Sequence, residues 1–158
     1  AGADGLFFAT AFTRDGLTEE EYSTYGKPYD LAILEAAIEE GAEFNVLHLC
    51  RNNIMFDLLS DYPVQAISYD NYESGNPGLR EAMGNTDKAI WGGVQHMHPL
   101  LEGPAEAIAL QVRNALDQTG GRRFLLGPTC AVMSANNMSE VPEAHLWTIK
   151  DALHTWRL

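Results

Sequence analysis

The sequence predicts an α/β fold in which short parallel strands alternate with helices. Three observations carry that prediction. Five short apolar runs, rich in β-branched and aromatic residues and flanked by Gly, Asp or Pro, recur along the chain. The segments between them carry helical periodicity and capping signals. The units succeed one another at roughly 30 residues each, the length of a βα unit, and repeated βα units imply a parallel sheet. With 158 residues, of which 46% are hydrophobic, the chain suits one domain over 1–158 with enough apolar surface for a core. No linker, internal repeat or low-complexity segment divides it.

The first strand is expected over 5–10, from Leu6-Phe7-Phe8-Ala9-Thr10. Thr18 and Glu21 then form a capping box, with Glu19, Glu20 and Glu21 as a solvated, dipole-stabilised helix start. Leu31, Leu34 and Ile38 give a second amphipathic stretch over 31–40, stopped by Gly41; Pro28 either splits this region or opens the second helix. Strands follow over 44–50, 65–70, 89–94 and 123–127. Helices are expected over 53–60, from 76 to about Met83, over 104–118 with Ile108, Val112, Ala115 and Leu116 on one side, and over 142–156. Two architectures fit this order: an open doubly wound sheet and part of a (β/α)8 barrel. The loop after the first strand, Ala11-Phe12-Thr13-Arg14-Asp15-Gly16, lacks the glycine pattern of a nucleotide-binding open sheet.

Charge and composition exclude several functions. Ten Lys+Arg against 22 Asp+Glu give a net charge of −12, which argues against a nucleic-acid backbone as partner. No apolar run is long enough for a membrane span. Two cysteines make no disulfide framework, and no basic-then-apolar leader opens the chain. There is no initiator Met, so the expectation is a processed chain or a portion of something longer.

The residues able to do chemistry gather at the expected C-terminal ends of the strands, where parallel βα folds bind ligands. His48 and Cys50 are two apart on the second strand and so share a face. Cys130 lies just past the fifth strand. One imidazole and two thiolates make a plausible zinc shell with an open fourth position. The alternatives are two space-filling cysteines beside a hydrogen-bonded strand histidine, or a Cys50–Cys130 disulfide. Side by side on one strand, His48 and Cys50 have poor geometry for a nucleophile and its base. Thr10, Asp70 and His96 occupy the same edge and are candidates for substrate contact; Asp70 reads equally as a turn cap, and His96-Met97-His98 as a loop before Pro99. Arg122-Arg123 sits at a strand start, away from this edge, and reads as structural.

The ordered set of segments resembles the C-terminal part of the uroporphyrinogen decarboxylase superfamily. The segments are Ala3-Asp4-Gly5-Leu6-Phe7-Phe8, Val46-Leu47-His48-Leu49-Cys50, Asp61 to Asp70, Trp91-Gly92-Gly93-Val94, and Gly120 to Pro128. The resemblance implies a (β/α)8 TIM-type barrel of which only about five βα units, strands 4–8, are present. His48, Cys50 and Cys130 match, one for one, the His-x-Cys and distant Cys that bind zinc in the corrinoid-dependent methyltransferase branch. That branch implies methyl transfer from a methyl-corrinoid to a thiol acceptor. Its partners would be a corrinoid protein or a small-molecule thiol. A cytoplasmic chain is expected, acting as a homo-oligomer or in association with a missing N-terminal half. Tetrapyrrole decarboxylation is the alternative, although Cys130 stands near the place where the decarboxylase has a histidine. A non-catalytic barrel piece serving as an interaction module is the third reading.

Overall fold

The computed structural model describes residues 2–134, 137–138 and 141–156. Its centre is a five-stranded parallel sheet: β1 (Phe7–Thr10), β2 (Val46–Leu49), β3 (Ala66–Tyr69), β4 (Ala89–Val94) and β5 (Phe124–Pro128). The strands lie in chain order, β1-β2-β3-β4-β5, each hydrogen-bonded to the next. A doubly wound sheet reverses its order at a switch point. An unbroken sequential order is what a stretch of (β/α) barrel gives, and it separates the two architectures that the sequence leaves open.

The connections hold six helices among the described residues: α1 (Glu19–Tyr25), α2 (Lys27–Glu39), α3 (Phe56–Leu59), α4 (Leu79–Asn85), α5 (Ala105–Thr119) and α6 (Glu143–Thr155). The Thr18 capping box is formed in both directions, an arrangement worth about 0.5–2 kcal/mol. Pro28 lies in the first turn of α2, so it opens that helix rather than splitting it. Gly120 ends α5 at φ 63°, the left-handed conformation that glycine adopts without penalty.

Two helices are shorter than the sequence suggests, and side chains explain why. Ile54 forms an isolated bridge with Thr13 and Asn53 takes a positive φ, so α3 begins only at Phe56. Asn76 accepts from the Ile54 N–H and donates to the carbonyls of Arg51 and Asp70, which delays α4 to Leu79. A two-stranded antiparallel hairpin, β6 (Met133–Ser134) and β7 (Asn137–Met138), follows β5 and has no counterpart in the sequence reading.

The helices cover one face of the sheet. Leu47, Leu49, Ile67, Tyr69 and Ile90 project from the strands into a core with Tyr22, Leu34, Leu59 and Tyr62. Tyr22 and Tyr62 both donate to the buried Asp30 carboxylate and meet each other, tying α1, α2 and the loop after α3 together. A second core joins α5 and α6 to Val94 and Leu100. Arg123 clamps the end of α4 and the loop before β4 by donating to the carbonyls of Met83 and Thr86. The opposite face carries no helix. There the register aligns one row of residues across all five strands: Ala9, His48, Ser68, Trp91 and Leu125. Gly127, one step further along β5, leaves room for the Trp91 indole; a Cβ there would stand 2.5 Å from Trp91 Nε1.

Candidate metal centre

His48 is the second residue of that row, in β2, and is 6% exposed. Its Nδ1 is 3.1 Å from the Ser68 hydroxyl on the neighbouring strand. Phe7 stacks on its ring at a centroid distance of 5.5 Å. These two contacts turn Nε2 toward the end of β5, where it lies 3.5 Å from Cys130 Sγ. Cys50 follows two residues after His48, on the same side of the chain. The three donor atoms all lie within 4.8 Å of one another.

The donor set fits zinc. Bond lengths of about 2.0–2.1 Å to nitrogen and 2.3 Å to sulfur at a tetrahedral angle place the two donors about 3.6 Å apart. The observed His48–Cys130 separation of 3.5 Å matches without rearrangement. Two thiols and an imidazole favour zinc over magnesium or calcium. Burial, with His96 nearby, pushes the His48 pKa below its usual value, while Asp70 opposes the shift. The imidazole is therefore neutral near pH 7, as a ligand must be. Burial raises the Cys130 thiol, with Cys50 and Asp70 adding to it, against the Ala131 backbone hydrogen bond. Metal-free, that thiol keeps its proton; a bound metal displaces it.

The other three expected site residues are placed as follows. Asp70 follows β3 and is 4% exposed. Its Oδ1 accepts from the Tyr72 N–H, the turn-capping role, while Oδ2 makes no hydrogen bond and stands 3.3 Å from His96 Nδ1. His96 also meets Thr129 twice, its N–H donating to the Thr129 hydroxyl and its Nδ1 lying 3.2 Å from the same oxygen. Thr10 ends β1 as a buried residue whose hydroxyl accepts from the Phe12 N–H. His98 is exposed and lines neither cavity described next.

Two cavities open on the cluster. The larger, about 560 Å³, lies on the helix-free face among Phe7, Ala9, Ala11, Trp91, Pro128 and Ala131, with Thr10, Ser68 and the three donors on its wall. The smaller, about 160 Å³, lies toward Arg51, Asp70, Glu73, His96 and Thr129 and shares the same donors. Asp70 and His96 thus border the cluster on one side and Thr10 on the other.

Sequence reasoning missed Ser68, Phe7, Trp91 and Thr129. Strand alternation puts Ser68 on the face of Asp70, but only the β2–β3 register sets it opposite His48. No local pattern marks Phe7 as the ring over His48.

The family described as uroporphyrinogen decarboxylase (URO-D) matches residues 1–154. No curated protein sequence matches. Among solved structures, a methyltransferase from Methanosarcina mazei is similar with a TM-score of 0.73 at 19% identity, over 96% of this chain and 42% of that one. A protein described as a vitamin-B12 independent methionine synthase from Listeria monocytogenes is similar with a TM-score of 0.52 at 17% identity, over 90% of this chain and 44% of that one. The chain thus spans less than half the length of either structure, and at these identities the likeness is one of fold.

Proposed function

The chain belongs to the uroporphyrinogen decarboxylase family, and from that premise we propose that it is the zinc-binding, C-terminal portion of a barrel enzyme that moves a methyl group from a methyl-corrinoid to a thiol. The observation that carries this reading is the convergence of His48, Cys50 and Cys130, three donors within 4.8 Å of one another although Cys130 is 82 residues from His48.

Zinc held there lowers the pKa of a thiol at its open position, so that a strong nucleophile exists near pH 7. The chain's own residues hold and aim this centre. Ser68 and Phe7 fix the His48 ring, so Nε2 presents its lone pair to the site. Asp70, His96 and Thr10 border the approach and orient what enters it. Phe7 and Trp91 wall one side of the space in which the thiol meets the methyl carbon. In the transfer, the sulfur–carbon bond forms as the carbon–cobalt bond breaks. Its electron pair stays with the corrinoid, and the thiol proton leaves to solvent.

The fold is shared with proteins described as a methyltransferase and as a vitamin-B12 independent methionine synthase; the frame therefore does not select the methyl donor. The corrinoid assignment rests on the His-x-Cys and Cys pattern. The family's own description favours decarboxylation as a second reading. Against it, no Lys or Arg among the described residues lines the larger cavity to hold a poly-carboxylate tetrapyrrole.

In this reading, further barrel strands from another polypeptide segment, or a second copy, cover the helix-free face. Phe7 is 56% and Leu125 39% exposed there, and β1 and β5 each have one unpaired edge among the described residues. Reduced thiols suit a cytoplasmic setting. No helix among the described residues is long and apolar enough to cross a membrane.

Metal analysis of the purified chain tests the proposal. One zinc per chain, lost in Cys50→Ala and Cys130→Ala, is expected. A folded chain that retains no zinc under saturating conditions, or variants with unchanged zinc content, would overturn it.

A further inference from the structure

We propose that Cys50 and Cys130 are a redox-active pair: a hydroperoxide joins them as a disulfide, a thiol reductant reopens it, and the oxidised pair excludes a metal from the cluster. The spacing of the sequence leaves this disulfide and a metal shell as alternatives. The geometry makes them two exchangeable states of one site.

The sulfurs are close before anything binds. Cys50 Sγ, Cys130 Sγ and a His48 ring nitrogen all lie within 4.8 Å of one another. A Cys50 side-chain hydrogen bond is among the influences that raise the Cys130 thiol. A disulfide needs about 2.05 Å between sulfurs, and a jump between staggered rotamers carries a sulfur by about 3 Å. Side-chain rotation therefore covers the remaining distance. The backbone holds the two residues at this separation: the Cys50 N–H donates to the Thr10 carbonyl, and the Thr129 N–H to the Val94 carbonyl.

Both thiols are free and partly exposed, so a small oxidant reaches them. There is no third cysteine, so no other pairing within the chain competes. The two positions are 130 − 50 = 80 residues apart. An unfolded chain brings such distant residues together at an entropic cost; the fold keeps them together.

The reaction balances with hydrogen peroxide as the oxidant. One thiol sulfur attacks a peroxide oxygen; an S–O bond forms, the O–O bond breaks and water leaves. The second sulfur then attacks the first; the S–S bond forms, the S–O bond breaks, and hydroxide departs with the remaining thiol proton as a second water. The two thiols lose two electrons and two protons, and the peroxide takes both. Zinc is held by thiolates, so oxidation leaves His48 as the one remaining donor of the cluster. The pairing itself needs no metal; only the exclusion of zinc rests on the reading above.

The test treats the dilute, metal-free full chain with a slight excess of hydrogen peroxide. Thiol titration should fall to zero and the intact mass by two hydrogens. The product should run as a monomer on a non-reducing gel, and dithiothreitol should restore both thiols. In a glutathione redox buffer, the folded chain should favour the disulfide over the same chain in urea by about tenfold or more, because folding raises the effective concentration of one sulfur at the other. Disulfide-linked dimers as the main product, sulfinic acid in place of the disulfide, or a folded preference below tenfold would each overturn the pairing. The oxidised chain should lose zinc on desalting and regain it after dithiothreitol; equal zinc in both states overturns the exclusion. A failed pairing leaves the zinc reading intact, and a chain that binds no zinc when reduced sinks that reading while the pairing, measured without metal, stands.

Discussion

Removing the Ser68 hydroxyl should weaken metal binding far more than it weakens the fold. Zinc on Nε2 requires the proton on Nδ1, and in this site Nδ1 faces a single oxygen, Ser68 Oγ at 3.1 Å. His48 is 6% and Ser68 3% exposed, so bulk water does not substitute freely. In Ser68→Ala the metal-bound state strands a buried N–H, a penalty of about 1–3 kcal/mol. The metal-free state escapes most of it, because the imidazole can move its proton to Nε2, which then points at Cys130 sulfur 3.5 Å away. The difference falls on binding: the zinc Kd should rise about 10–100-fold, or roughly 1.4–2.7 kcal/mol. The metal-free urea midpoint should move by the equivalent of less than about 1 kcal/mol. Ser68→Thr, which keeps the hydroxyl, should recover most of the affinity. Competition against a chromophoric chelator measures Kd. A Ser68→Ala Kd within about twofold of the parent would refute the idea that this bond holds the ligand tautomer.

Four further outcomes follow from the same geometry. Because burial lowers the His48 pKa, the folded state favours the neutral ring. That stabilisation is present above the unfolded value of about 6.5 and is lost as pH falls through the folded pKa. Urea titrations of the metal-free chain should show a decline below that pH which His48→Gln flattens, and an equal decline in the variant contradicts the assignment. Because the Cys130 thiol is raised, zinc binding should release protons and weaken as pH falls; a pH-independent Kd between about pH 6 and 8 would exclude thiolate ligation. Gly127→Val pushes a Cβ to 2.5 Å from Trp91 Nε1 and should displace the indole at a cost of about 1–3 kcal/mol; an unchanged tryptophan emission spectrum and unfolding midpoint would show that the ring does not rest there. Thr18→Ala removes the side-chain half of the α1 capping box, the bond from the Glu21 N–H, and leaves the residue-18 backbone N–H on the Glu21 carboxylate; it should destabilise by about 0.5–2 kcal/mol, read as a lower urea midpoint, while leaving zinc affinity untouched.

The elements of this fold are legible locally because their signals are local. Thr18 and Glu21 mark a helix start by themselves, and Gly120 marks a stop. Phe124-Leu125-Leu126 announces a strand without reference to any neighbour. Expectations fail where a side chain reaches across the chain, as Asn76 does to Ile54, Arg51 and Asp70, trimming the helix that the pattern begins at 76. The site divides along the same line. His48 and Cys50 share a face by strand alternation alone. Their bracing by Ser68 and Phe7 depends on the register of separate strands and on a stacked ring, and neither is written in the spacing of any segment.

How Cys130 reaches His48 explains what this part of the fold contributes. β2 and β5 are three strand spacings apart, about 14 Å across a flat sheet, yet their donors stand 3.5 Å apart. Part of the gap is closed by the chain beyond β5. The Thr129 N–H donates to the Val94 carbonyl, and the Thr129 hydroxyl accepts from the His96 N–H, which holds the segment against the end of β4 and presents Cys130 inward. The His48 and Cys130 side chains reach toward each other across the rest. Each of four neighbouring strands thus serves the cluster: β2 with His48 and Cys50, β3 with Ser68 and Asp70, β4 with His96, and β5 with Cys130. Under the proposed reading, metal affinity is a property of these four strands and the loops that follow them. Alignment of a methyl donor also needs a wall opposite Phe7, Trp91 and Leu125, which the described residues do not form. Under that reading the two functions are separable: zinc binding needs only the arrangement of these four strands, and methyl transfer also needs the helix-free face covered.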